Sequence, residues 1–152
     1  MTRRLLLVLA ALVTVGLLVP AVAVADPGGR PFTTALTGAA ELPGPGDPDA
    51  SGGATLSLNQ GQGTVCFSMS WEDVDGTVSA SHIHLGSATE FGGVVVPMFV
   101  GASFAGTGEA SGCATDVEPE LIKAIRQDPS GYYVNVHSDV FPAGAIRGQL
   151  GK

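Results

Sequence analysis

The chain is poor in basic side chains: seven lysines and arginines stand against 14 aspartates and glutamates in 152 residues. It has no basic cluster, so the electrostatic footprint of a nucleic-acid binder is missing. Its two cysteines, Cys66 and Cys113, are too few to build a cysteine-based metal centre. Gly-x-Ser-x-Gly does not occur, and Ser81 and Ser138 neighbour histidines in sequence, which on a strand puts them on the opposite face. An Asn-x-Ser/Thr acceptor is lacking, as is an internal repeat. Beyond residue 25 no apolar run is long enough to cross a bilayer.

The first 25 residues read as a signal peptide. Arg3 and Arg4 give a basic start, residues 5–19 are uncharged and mostly Leu, Val and Ala, and Ala23-Val24-Ala25 supplies a small-x-small cleavage pattern before Asp26. Cleavage is expected after Ala25, by the general secretory route, since the paired arginines are only a fragment of a twin-arginine signal. The alternative is an uncleaved anchor, because residues 5–25 could span a bilayer, but Pro20 and the small residues after it suit a processing site better. Residues 26–31 then form a short linker and residues 32–150 one domain. The exported part has 127 residues with five basic against 14 acidic side chains, a net charge of −9. That charge favours solubility and disfavours nucleic acid and, after cleavage, a membrane surface. An extracytoplasmic protein or a small ligand remains as partner class, in any oligomeric state.

An oxidising compartment favours pairing Cys66 with Cys113, with two buried free thiols as the alternative. The bridge would close a loop of about 48 residues, for which chain entropy gives roughly 4 kcal/mol.

Glycine (22) and proline (10) are plentiful, which implies frequent turns. Strands are expected over 32–37, 54–58, 64–71, 77–85, 94–100, 132–137 and 145–150, with residues 105–114 a Gly-rich alternating stretch. Residues 41–53, with Pro43, Pro45 and Pro48, read as an irregular loop. Val65, Phe67, Met69 and Trp71 share a face opposite Cys66, so the bridge should tie the strand to a loop or edge without crossing the core. Pro97 marks an edge strand or a bulge. One helix is expected at 119–127, opened by Glu118 and Glu120, striped by Leu121, Ile122 and Ile125, and stopped by Asp128-Pro129. The fold class that follows is all-β, an antiparallel sandwich of seven or eight short strands with one short helix.

All three histidines lie in two strand-like segments, Ser81-His82-Ile83-His84-Leu85 and Tyr133-Val134-Asn135-Val136-His137. Residues two apart share a strand face, so His82 and His84 project together and Ile83 projects into the core. If the segments are neighbours, His137 completes a three-nitrogen set suited to copper or zinc, with a fourth position for water or a carboxylate. The competing reading is that these imidazoles hydrogen-bond loop backbone and hold Gly-rich connections. Glu72, Asp73 and Asp75 are explained by turn chemistry before Gly76, and a calcium loop would need more oxygen ligands at fixed spacing. Tyr132 is expected in the core with Val134 and Val136, and Tyr133 with Asn135 and His137. Arg147 could hold an anion, but is better read as pairing with a carboxylate or loop carbonyls.

Ser81-His82-Ile83-His84, Gly92-Gly93-Val94-Val95-Val96-Pro97, Gly131 through His137, and Phe141-Pro142-Ala143-Gly144-Ala145-Ile146-Arg147-Gly148-Gln149 together resemble the CHRD domain first described in chordin. Leu36-Thr37-Gly38-Ala39-Ala40-Glu41-Leu42-Pro43 is similar to its opening motif, and the cysteine pair resembles the bacterial secreted branch. Ala145 departs from the pattern, which often carries an acidic residue there, so no salt link from that position to Arg147 or a neighbour is expected. The resemblance implies an immunoglobulin-like β-sandwich and a non-catalytic binding or structural module. The strand-borne His-x-His is also similar to part of the copper site of copper–zinc superoxide dismutases, by analogy alone. Those enzymes use four histidines at copper and this chain has three in all, so a dismutase is not expected. Two readings result: a non-catalytic module whose histidines fasten loops, or a copper- or zinc-binding domain using His82, His84 and His137.

Overall fold

The computed structural model describes residues 31–151, so the expected signal peptide and most of the linker lie outside the described residues. Eight strands occur in the order β1 (Pro31–Thr37), β2 (Ser51–Asn59), β3 (Thr64–Glu72), β4 (Val78–Leu85), β5 (Val94–Phe104), β6 (Gly108–Ala114), β7 (Tyr132–Ser138) and β8 (Ile146–Gln149). The one α-helix among the described residues, α1 (Pro119–Gln127), has the expected bounds. Pro119 sits at its first turn, where a missing N–H is harmless, and Ile122 and Ile125 are its buried residues.

All strand pairs are antiparallel. The all-β expectation holds, but the division into two sheets is not drawn by the hydrogen bonds. One continuous sheet runs β5-β4-β7-β8-β1-β2-β3-β6 and curls into a nearly closed barrel. Aromatic packing joins β5, at one end of the sheet, to β3, the strand next to the other end. Phe99 and Phe104 of β5 stand 6.2 and 5.5 Å, ring centre to ring centre, from Trp71 of β3. The Trp71 indole N–H donates to the Ala105 carbonyl at 2.9 Å, satisfying the one polar atom of a buried ring.

Period-2 patterning accounts for the core. Val65, Phe67, Met69 and Trp71 of β3 point inward to meet Leu56 and Leu58 of β2, Leu36 of β1, Val134 and Val136 of β7 and Ile146 of β8. β4 departs from strict alternation. Val78 is opposite Ser138 and Ala80 is opposite His137, so β4 carries one extra residue between these pairs. Such a bulge reverses the phase of the strand beyond it. Val78 and Ile83 are therefore both buried in the core although they differ in parity, and His82 and His84 fall on the outer face. Pro97 lies on β5, a terminal strand of the sheet whose register against β4 is interrupted, as its missing N–H requires. Residues 105–114 contribute a strand of small residues at the opposite end of the sheet.

Cys66 and Cys113 are bonded, and they are direct partners across β3 and β6. The bridge fastens a terminal strand to its neighbour on the outer face, as Cys66 and Phe67 on alternate faces imply. It closes a separation of 47 residues, for which chain entropy sets an upper contribution of about 4 kcal/mol. A Cys66→Ser, Cys113→Ser double variant should keep its far-ultraviolet dichroism while its urea unfolding free energy falls by about 2 to 4 kcal/mol. A loss well under about 1 kcal/mol would mean that β6 is pinned by other contacts.

Candidate functional site

β7 sits between β4 and β8, and all seven of its residues are buried. Its inner side chains, Tyr132, Val134 and Val136, belong to the core, as the alternation predicts. Its outer side chains, Tyr133, Asn135 and His137, face away from that core and are still covered. In register, Ala80 is opposite His137, His82 opposite Asn135, and His84 opposite Tyr133. On the other side Asn135 is opposite Arg147 and Tyr133 opposite Gln149. Directly opposed residues share a face, so the three histidines, Asn135, Tyr133 and Arg147 form one polar patch across β4, β7 and β8.

The two histidine segments are thus neighbours, and all three imidazoles come together. One ring nitrogen of each of His82, His84 and His137 lies within 4.8 Å of the other two. Backbone carbonyls orient two of the rings. His84 Nδ1 is 2.9 Å from the Gly92 carbonyl and His137 Nδ1 is 3.1 Å from that of Pro142. A carbonyl only accepts, so both Nδ1 atoms carry hydrogen and both Nε2 atoms of the neutral rings carry lone pairs. His137 Nε2 accepts from His82 Nδ1 at 3.0 Å. His84 Nε2 is buried and has no hydrogen-bond partner among the described residues.

Burial disfavours charge on two of these rings, His82 and His137. Burial, with smaller contributions from His137 and His84, pushes His82 down to about 4. Burial also lowers His137, partly opposed by its bond to Pro142. His82 is therefore neutral throughout the neutral range. Only His82 is partly exposed; His84 and His137 are at least nine-tenths buried.

The surroundings were only partly foreseeable. Tyr133 stacks on His84, with ring centres 4.8 Å apart and planes 8° from parallel. From the β8 side the Arg147 guanidinium carbon lies 3.4 Å from the Tyr133 ring centre. Arg147 is buried, and its Nη2 donates to the carbonyls of Ser87 (2.7 Å) and Glu90 (2.9 Å), so the loop-carbonyl reading of this residue is the one observed. These bonds hold residues 86–93 over Tyr133 and bring Gly92 to His84. Glycine is required at 92, because a Cβ there would overlap the Leu85 carbonyl.

Glu41, in the proline-rich loop, had no signal of burial in the sequence, since a carboxylate among prolines and glycines reads as exposed. It is 4% exposed and faces Asn135 and Arg147. The carboxylate near Arg147 thus comes from Glu41, while Ala145 is buried. A Cβ on Gly144 would overlap the Glu41 carboxylate, and Gly144 has a φ of 147°. By contrast Glu72, Asp73 and Asp75 are exposed, with Asp73 at a φ of 58°, in keeping with turn chemistry.

The pattern of residues 32–150 matches the family model described as CHRD domain. The chain belongs to the CHRD domain family. No curated protein and no solved structure matches the chain. In this CHRD domain four of the stretches that carried the resemblance build the patch: β4, the loop from Gly92, β7, and the Pro142 turn with β8.

Burial raises Glu41 to about 7, against the opposing pull of Arg147. A carboxyl with a raised folded-state pKa binds its proton more tightly when folded. Its stabilising contribution is therefore full below the ordinary value of 4.5 and is lost as pH rises through about 7. Glu41→Gln, which cannot ionise, should gain on the parent in unfolding free energy by up to about 3 kcal/mol between pH 4.5 and pH 8. A pH-independent difference in urea unfolding would refute the buried neutral carboxyl.

Proposed function

We propose that the chain is exported, with its signal peptide removed after Ala25, and that its CHRD domain is a non-catalytic binding module whose ligand is a copper or zinc ion held by His82, His84 and His137. Membership of the family supports the binding-module part. The disulfide and the absence of a membrane-spanning helix among the described residues are consistent with an extracytoplasmic site. The finer fold reading is an immunoglobulin-like sandwich, with β5-β4-β7-β8 facing β1-β2-β3-β6 as halves of the one sheet; the single shared core supports it.

One observation carries the metal reading over the loop-fastening one. Loop fastening uses only the Nδ1 atoms of His84 and His137, which bond Gly92 and Pro142. It leaves the His84 Nε2 lone pair buried without a donor, which costs free energy unless something at that point accepts the pair. One spacing already suits an ion, and the widest of the three nitrogen separations, up to 4.8 Å, would close when the ion binds. Two nitrogens each about 2.05 Å from one metal stand about 3.3 Å apart at tetrahedral angles, and His82 Nδ1 and His137 Nε2 are already 3.0 Å apart. His82 would bind through Nδ1 with its hydrogen moved to Nε2, a change of tautomer that leaves the ring neutral. The backbone carbonyls would act as outer partners that hold ring orientation.

Two measurements test these readings. Zinc or copper titrated into the mature domain should form a one-to-one complex of micromolar or tighter affinity, and His84→Ala should lose at least about tenfold of it. Saturable binding that survives His84→Ala would place the ion elsewhere, and no binding at micromolar metal would remove the metal reading. N-terminal sequencing of the secreted protein should begin at Asp26, whereas retention in the membrane with residues 1–25 attached would overturn export by cleavage.

A further inference from the structure

Resting on the ligand role of the three histidines, the selectivity of the site follows from where negative charge is absent. The donors are three imidazoles that are neutral when they bind. Among the described residues no aspartate, glutamate or cysteine joins the cluster. The outer partners of His84 and His137 are peptide carbonyls, so they pass no anionic charge to the rings. On the far side of Tyr133, which stacks on His84, lies the permanent charge of Arg147. Glu41 faces that guanidinium and is held near a pKa of 7, so it offsets the charge only partly at neutral pH.

A buried ion pays a desolvation cost that grows with the square of its charge, so a doubly charged ion pays about four times that of a singly charged one of the same size. A divalent ion here would need an anion to offset that cost. Zinc can generate one by deprotonating a bound water, yet the cluster opens to solvent only at His82. A monovalent copper ion pays only about a quarter of that cost and is satisfied by two or three neutral donors in a linear or trigonal arrangement. We propose that the His82, His84 and His137 cluster is a cuprous site, selective for Cu(I) over Cu(II) and Zn(II) because its first and second layers of ligands are uncharged and a buried arginine stands behind them.

The test uses the mature, disulfide-intact domain and three probes: Cu(I) kept reduced by ascorbate under nitrogen and competed with bicinchoninate, and Cu(II) and Zn(II) each competed with a chelator of known affinity. Cu(I) should bind at least about 100-fold more tightly than Cu(II), equivalent to a midpoint about 118 mV above that of the aqueous couple. His82→Ala, at the partly exposed position where folding is least at risk, should weaken Cu(I) by more than about tenfold. Cu(II) or Zn(II) affinity equal to or above that of Cu(I) would overturn the cuprous assignment and leave the metal reading standing. Unchanged Cu(I) affinity in His82→Ala would overturn it by placing the ion elsewhere. Failure of all three probes to bind would remove both.

Discussion

A strand buried on both faces, with polar side chains on one of them, sets the terms for the rest of this domain. The outer residues of β7, Tyr133, Asn135 and His137, could stay solvated only if nothing packed on them, yet all three are covered. Buried polar groups need partners. Here several partners come from connections folded back on the sheet, while Asn135 Oδ1 and Arg147 Nη1 stay without a hydrogen-bond partner among the described residues. Arg147 collects the carbonyls of Ser87 and Glu90, and Gln149 reaches those of Gly86, Ser130 and Tyr132. The turn after β7 returns the Pro142 carbonyl to His137. The loops before and after the histidines are thereby part of the same polar layer that orients them.

The bulge in β4 links this layer to the core. A perfectly alternating strand starting from buried Val78 would have sent His82 and His84 into the apolar interior and Ile83 outward. One extra residue ahead of Ala80 reverses that phase, so Ile83 packs with Val96 and Val134 in the core while both imidazoles meet His137. A local irregularity of the backbone thus does two jobs. It preserves a continuous core and gathers three nitrogens on one face.

How much of this was readable depended on the range of the interaction. Alternation over 64–71 revealed the inward set of β3 and the outer placement of Cys66, because facing on a strand is a matter of neighbours two residues apart. The helix over 119–127 was legible from its own stripe and its flanking prolines. Tyr132 and Tyr133 were assigned to opposite faces for the same reason. The single curled sheet was not legible: whether eight antiparallel strands divide into two layers or join through β8 and β1 turns on the Thr37 and Arg147 pairing, made between residues 110 positions apart. Nor was Glu41, whose burial is imposed by Asn135, Gly144 and Arg147 from distant parts of the chain.

The sequence by itself determined the strand faces, the helix, the pairing chemistry of two cysteines and the shared face of His82 and His84, since each follows from short-range geometry or simple counting. It also carried the family pattern over residues 32–150. Tertiary structure alone decided that His137 joins the pair, which ring nitrogens carry hydrogen, and that no carboxylate joins the cluster while a buried arginine, faced by Glu41, stands behind it. Those outcomes rest on strand order and on carbonyls delivered by loops, and neither is encoded in the spacing of the residues they act upon.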